Sequence, residues 1–273
     1  AWRFKDLPDK LIGAFGQVES AWPVSGSLLV LDDTAYFAAG RSSFLDGGIF
    51  LYALDPFTGR IKHDRRIHGP FDTDSGFPAV DNRGSKADIL VTDGKLLYMR
   101  HKAFNLDLSD AATANAHVIP SAGFLDGVPQ HRTYWTVAPT LTGRTKIAGP
   151  NGDILVATKE RIYELQGFPV HRHSYFDPRR SGYLLRAVER NDAAQTAAAP
   201  TGRAVAAKRR GRAKPSDRVQ PRTVPAWSCS VPLTGKAMLL AGDILFLAGN
   251  PAHFAPDHSV EKYQASYEGK LGG

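Results

Sequence analysis

The sequence predicts an all-β fold assembled by repeating one unit, and three observations predict it. Four segments share one pattern, an aliphatic run, a tight polar turn, then a run mixing aromatic and aliphatic residues: Ser27–Gly40, Lys86–His101, Gly152–Gly167 and Lys236–Gly249. Glycine (26 residues) and proline (18) punctuate the chain as densely as short strands and turns require. Between the first two segments, Ile49 to His63 (IFLYALDPFTGRIKH) reads as strand, turn and strand in immediate succession.

The first segment, SLLVLDDTAYFAAG, turns at Asp32-Asp33, and the second, KADILVTDGKLLYMRH, at Asp93-Gly94. The third, GDILVATKERIYELQG, turns at Thr158-Lys159-Glu160, and the fourth, KAMLLAGDILFLAG, at Gly242-Asp243. Asp-Gly between apolar runs is the strongest hairpin signal of the four. Ile49–Leu54 is a short apolar run of strand character. Pro56 presets a turn, the Asp55 carboxylate can accept from the turn amides, and Gly59 supplies a positive-φ exit. Arg60–His63 then resumes an extended strand, with Lys62 expected to face solvent.

The spacing of the four turns is uneven. The first two intervals are about 60 to 65 residues, and the third is longer because of a basic, low-complexity stretch, Asn191–Thr223. That stretch has almost no large apolar side chains with which to offset its ordering entropy, so it is expected to be a disordered insert. Between Arg203 and Arg222 it holds eight basic residues and one acid, a net +7 that equals the formal charge of the whole chain. The remaining chain is neutral, which weighs against a nucleic-acid-binding fold and favours a solvated insertion at a loop tip. The expected organisation is therefore residues 1–190, the insert 191–223, and a continuation over 224–273. Two further long connections, Asp64–Ser85 and Asn105–Leu141, are expected to gather on a binding face. Hydrophobic residues at 42% and charged residues at 22% are the proportions of a globular chain. No apolar run approaches the roughly 20 residues of a membrane helix. The single Cys229 excludes an internal disulfide and a cysteine-built metal site.

Ala53, Asp55, Thr58 and Gly59 occupy the places of the A-x-D-x-x-T-G-x turn found between the two outer strands of a blade in pyrroloquinoline-quinone-type β-propellers, and the stretch resembles that repeat. Trp2-Arg3-Phe4, Ala14–Val24, Ala38–Gly48, His131–Trp135 and Ala237–Gly249 are similar to segments of a bacterial family of large quinoprotein-like propellers. That family is related to the outer-membrane assembly lipoprotein propeller and to the quinoprotein alcohol dehydrogenases. The resemblance implies a partial β-propeller of about four four-stranded antiparallel blades. The parent would have eight if the likeness to the dehydrogenases holds. The four hairpins would then be the inner strands of their blades. It also implies an internal fragment cut in mid-blade at both ends, and a periplasmic or secreted location.

A quinone dehydrogenase needs a Ca²⁺ held by oxygen ligands, a base carboxylate and a Trp floor, and its better-known members carry an adjacent cysteine pair. The chain has no such pair, and no local motif places the other groups. No cofactor is expected on these residues. Pyrroloquinoline quinone with calcium belongs only to the alternative, a dehydrogenase fragment whose site residues lie mostly elsewhere. Asp72-Thr73-Asp74-Ser75-Gly76 begins like a Ca²⁺ loop, but Gly76, Phe77 and Arg83 stand where a third oxygen ligand, a Gly and a Glu are needed, so a polar turn is favoured. His131-Arg132-Thr133-Tyr134-Trp135 and His171-Arg172-His173 are dense polar-aromatic clusters without the spacing of a metal site. Arg41, Ser43 and Asp46, in a connection closed by Gly47-Gly48, are expected at one face of the fold, with Arg41 and Asp46 as an ion pair or as groups presented to a ligand. Glu19 and Trp22 sit similarly before the first hairpin, and His131 and Arg132 complete the ligand-face candidates. The function expected is a non-catalytic scaffold that binds a protein, peptide or glycan on that face.

Overall fold

The computed structural model describes residues 2–14, 16–69, 89–112, 115–120, 135–139, 149–167, 182–191, 225–253 and 259–270. The fold is all-β, a series of small antiparallel sheets. The chain divides into two compact units, residues 1–129 with 139–141, and residues 130–138 with 142–273. The strands on either side of the basic insert, Tyr183–Glu189 before it and Trp227–Val231 after it, belong to one sheet of the second unit.

The first unit opens with a hairpin of β1 (Leu11–Ala14) and β2 (Gln17–Ser20). A four-stranded meander follows: β3 (Leu29–Leu31), β4 (Thr34–Ala39), β5 (Ile49–Leu54) and β6 (Ile61–Ile67), adjacent in that order. Leu31 pairs with Thr34, so Asp32 and Asp33 form a two-residue turn, both at positive φ (46° and 54°), the twist that antiparallel strands accept best. β4 and β5 are buried on both faces because each alternates between two cores. Tyr36, Ala38, Ile49, Leu51 and Ala53 face a second sheet, β7 (Leu90–Thr92), β8 (Leu97–Met99) and β9 (Lys102–Phe104). Phe37, Ala39, Tyr52 and Leu54 face the other way, under Phe4, Leu7, Ile12 and Trp22. Each fully buried Leu or Phe in these layers contributes roughly 1.5–3 kcal/mol of transfer free energy. β6 is the edge strand, and the exposed Lys62, His63, Asp64 and Arg66 along it discourage pairing with a foreign strand.

The turn Asp55–Arg60 joins β5 to β6 as the sequence predicts. Asp55 Oδ1 accepts from the amides of Phe57 and Thr58, both at 2.9 Å, and Gly59 has φ +74°. Thr58 Oγ1 accepts from the Arg60 amide (3.3 Å). Lys62 is exposed, but it also bridges: its Nζ donates to Asp33 O (2.7 Å) and Thr34 Oγ1 (2.9 Å), tying β6 to the first turn.

The second sheet departs from two expectations. Asp93-Gly94 is not a two-residue turn. Thr92 pairs with Leu97, and the Asp93 carboxylate accepts from the Lys95 and Leu96 amides, so its side chain caps a four-residue loop. The long connection expected over Asn105–Leu141 is interrupted, because it begins with a hydrogen-bonded turn and holds a strand over His117–Pro120. Asn105 N donates to Ser109 O, Leu108 N donates to Asn105 O, and Phe104 bridges to Asp110, which makes a shorter counterpart of the Asp55–Arg60 turn. Leu108 takes the positive φ (67°) that Gly59 has in the first sheet, and its side chain is buried in the core. Arg65 on β6 holds this turn through Leu108 O (3.0 Å) and Asp110 Oδ2 (2.6 Å). A further strand, β10 (His117–Pro120), lies beside β7.

In the second unit, β11 (Trp135–Ala138) pairs with β12 (Asn151–Gly152). A second four-stranded meander follows, β13 (Ile154–Ala157), β14 (Arg161–Gln166), β15 (Tyr183–Glu189) and β16 (Trp227–Val231). Thr158 Oγ1 closes the first turn by accepting from the Glu160 and Arg161 amides. The basic insert therefore lies between the third and fourth strands, where the first meander has its Asp55–Arg60 turn. Ala187 pairs with Trp227, so the strand ends that flank the insert are neighbours. The carboxylate of buried Glu164 accepts from Asn151 N (2.8 Å) and from both Nε and Nη2 of Arg186, its cross-strand partner. Burial pushes that carboxyl up, opposed by the guanidinium and the amide.

A hairpin of β17 (Leu233–Ala241) and β18 (Ile244–Pro251) packs Met238, Leu245 and Leu247 against Leu165 and Leu185, while Leu239, Ile244 and Phe246 stand exposed on its other face. The helix α1 (Val260–Glu268) was not anticipated from the strand pattern. Ser259 caps its start by accepting from Lys262 N, and Ser266 fastens it to β18 by donating to Pro251 O (2.6 Å). No helix among the described residues is long and apolar enough to cross a membrane.

Candidate functional site

The two ends of the first meander differ in chemistry. One end holds the tight turns Asp32-Asp33 and Asp55–Arg60, closed by their own backbone and side-chain bonds. The other end holds the β4–β5 loop, residues 40–48, and the segment 21–28 that leads into β3. Gly40 N donates to Pro23 O (3.0 Å), which joins the two segments.

The loop is shaped by its own sequence. Ser42 Oγ accepts from Phe44 N (3.3 Å), and Leu45 O accepts from Gly48 N (2.8 Å). Gly48 has φ +104°, and a Cβ there would collide with the carbonyl of Ile67 at the end of β6. Ser43 is buried, and its carbonyl accepts from Gly69 N (2.7 Å), so Ser43 anchors the loop to the exit of β6 and its side chain is turned inward.

This folding brings four of the predicted ligand-face residues together. Arg41 Nη2 lies 2.6 Å from Asp46 Oδ2, and its Nη1 lies 3.7 Å from Glu19 Oε1 on β2. Lys10, which the sequence pattern did not single out, approaches the other Asp46 oxygen at 3.6 Å. Arg41 and Asp46 are mostly enclosed and Glu19 is half exposed, so the pair is ordered by the loop and the cluster still meets solvent. Trp22 stands beside them, 7% exposed, edge-to-face with Phe50 at 5.5 Å. Trp22 Nε1, Ser25 Oγ and Arg41 Nε are buried with no hydrogen-bond partner among the described residues.

His131 and Arg132 lie outside the described residues, as do Asp72–Gly76, His171 and His173. Trp135, next to them in sequence, begins β11 and is half-buried. Among the described residues no group of three or more His, Cys, Asp or Glu is placed to hold a metal ion.

A second polar cluster escaped the sequence reading. Tyr98 donates to Asp93 Oδ2 (2.8 Å), and the buried His117 stacks on the Tyr98 ring at 3.8 Å. Both ring nitrogens of His117 face carbonyls, Asn115 O at 2.7 Å and Arg100 O at 2.5 Å. Burial, with the Asp93 carboxylate beside it, pushes the Tyr98 hydroxyl up to about 12. Burial holds His117 below its ordinary value, against the pull of the two carbonyls and of Asp93. Tyr98 and Asp93 partner each other, and a neutral His117 donates to one of its two carbonyls, all inside the sheet, so the cluster acts as structure. The only sequence signal was the Asp-Gly turn itself.

No protein-family model, curated protein or solved structure matches the chain.

Proposed function

We propose that this chain is part of a β-propeller of the quinoprotein-like type, and that it serves as a scaffold binding a protein, peptide or glycan at the end of the first meander formed by residues 19–25 and 40–48. The observation that carries the proposal is the asymmetry of that meander. Its turn end is internally satisfied, whereas its loop end gathers Glu19, Trp22, Arg41 and Asp46 around buried donors without partners. Two further observations support the propeller. Two sheets are four-stranded meanders in strict sequence order, and each begins with a hairpin of the same pattern. Successive sheets of the first unit also pack face to face, which is how blades bury their apolar faces.

Loop ends carry binding in such architectures because the strands hold them rigid while their length and chemistry vary. The test is a peptide and glycan array probed with the wild-type chain and with Arg41→Ala. The proposal expects specific hits that weaken at least about tenfold in the variant, the scale of one lost hydrogen bond to a charged group. Hits indifferent to Arg41, or none, would count against it.

A further inference from the structure

The hairpin β17–β18 has one packed face and one bare face. Met238, Leu245 and Leu247 pack against Leu165 and Leu185. The bare face holds three cross-strand pairs, Ala237–Ala248, Leu239–Phe246 and Ala241–Ile244. All six residues are apolar and exposed, with Leu239, Ile244 and Phe246 at 62%, 61% and 53%. A solvated face of an antiparallel sheet ordinarily carries polar residues, as β6 does with its exposed Lys62, Asp64 and Arg66. Alternation puts Asn250 on the same side of β18 as Phe246 and Ala248. Its Nδ2 donates to Tyr267 O of α1 (3.3 Å), so the helix roofs the open end of this face and leaves the three apolar rows uncovered.

The two ends of the bare face carry opposite charges. Asp243 stands exposed in the turn. Lys236 is exposed in the bulge beside Ala237, with its Nζ 3.7 Å from the centroid of the Tyr267 ring. A second copy of the same hairpin is complementary to this arrangement when a two-fold axis crosses the strands at the Leu239–Phe246 row. β17 then lies over β17 and β18 over β18, with the strands running in opposite directions. Each Asp243 comes to the other copy's Lys236. The row Ala237–Ala248 meets the bulkier row Ala241–Ile244, so small side chains face larger ones. Such a contact is isologous and closes at two copies. We propose that this chain forms a two-fold dimer through the bare face of β17–β18, packed on Leu239, Ile244 and Phe246 and flanked by Asp243–Lys236 pairs. The three rows span only about 14 Å along strands stacked about 10 Å apart. That is less than the roughly 800 Å² per partner of a standard interface, so the dimer is weak and depends on concentration.

Sedimentation equilibrium of the full chain from about 5 to 500 µM is the test, the range in which an interface of this size dissociates. The mass should rise from monomer to dimer and stop there. Phe246→Ser, at an exposed position, should keep the wild-type circular dichroism and weaken association at least about tenfold. The charges report the orientation by a second route: Asp243→Lys and Lys236→Asp should each weaken the dimer, and the two together should restore it. A chain that stays monomeric throughout would overturn the proposal and leave the face to a different protein. A dimer indifferent to Phe246→Ser would overturn it by placing the contact elsewhere. Mass growing beyond the dimer would overturn it in favour of open pairing along a strand edge, and a double variant as weak as the single ones would overturn the two-fold arrangement. None of these readouts involves residues 19–25 or 40–48, so the loop-end proposal stands or falls separately.

Discussion

Trp2 lies across Gly59. Its indole Nε1 donates to Pro56 O at 3.0 Å, and its ring passes 2.5 Å from the point where a Cβ on Gly59 would stand. Two separate causes thus keep residue 59 a glycine, its positive φ and the ring above it. Gly59→Val is expected to cost at least about 1–3 kcal/mol, since a β-branched residue is forced into the left-handed region and the indole is displaced. Trp2→Ala should relieve the second cause only, so Gly59→Ala will be better tolerated in that background. A double-mutant cycle of denaturant midpoints measures the coupling, and strictly additive midpoints would contradict it.

Asp55→Ala removes the acceptor for the Phe57 and Thr58 amides. Those amides hold the carboxyl below its ordinary value, so its contribution is present above that value and is lost as pH falls through the folded-state value. The variant should unfold at lower denaturant than wild type at neutral pH, with the gap closing in acid. Phe57→Ala is the control, because that side chain is 80% exposed. Lys62 cannot serve, because it bridges β6 to the Asp32-Asp33 turn.

Leu108 combines a positive φ with a buried side chain, and the two effects oppose each other under substitution. Leu108→Ala loses burial, about 2–5 kcal/mol, and keeps the backbone strain. Leu108→Gly loses the same burial and relieves roughly 1 kcal/mol or more of strain. Glycine should therefore be the milder substitution. A midpoint for Leu108→Gly below that of Leu108→Ala would show that the backbone at this turn is unstrained.

The insert between β15 and β16 should be dispensable for folding. Ala187 pairs with Trp227, and Ala226 N donates to Ala187 O, so the chain ends left by its removal are already adjacent. Replacing residues 192–224 by a short Gly/Ser turn is expected to change stability by no more than about 1 kcal/mol, as at positions away from packed features. Loss of cooperative unfolding would show that the segment belongs to the core.

The pair Tyr98–His117 predicts loss of stability at both ends of the pH scale. The Tyr98 hydroxyl is raised from 10.0 to about 12, so its contribution is complete below 10 and disappears as pH rises through that window. His117 is lowered from 6.5, so its contribution is present above 6.5 and is lost as pH falls through the folded-state value. Tyr98→Phe should flatten the alkaline limb of the midpoint against pH, and His117→Gln the acid limb. Unchanged limbs would contradict these assignments.

What the sequence made legible was whatever depends on neighbours along the chain. The four hairpins are all present, and the Asp55–Gly59 turn forms because its acceptor, its Pro and its Gly lie within one turn. Arg41 and Asp46 were legible for the same reason, being five residues apart in one loop. Contacts set by strand pairing were not legible: Glu164 with Arg186, Lys62 with Asp33, and Arg65 with Asp110 each need a register that no local motif states. The Asn105–Ser109 turn was hidden because a leucine takes the place of the glycine, its strain offset by burial. The helix α1 carried local signals, Ser259 before it and Gly269 after it, but they were overlooked under an expectation of repeated strands.

Hydrogen–deuterium exchange of the wild-type chain, alone and with its best array hit, tests the central claim most directly. The account predicts slowed exchange in residues 19–25 and 40–48, with no change at the turns 32–33 and 55–60 at the other end of the same sheet. Protection at those turns with none at the loop end would contradict it.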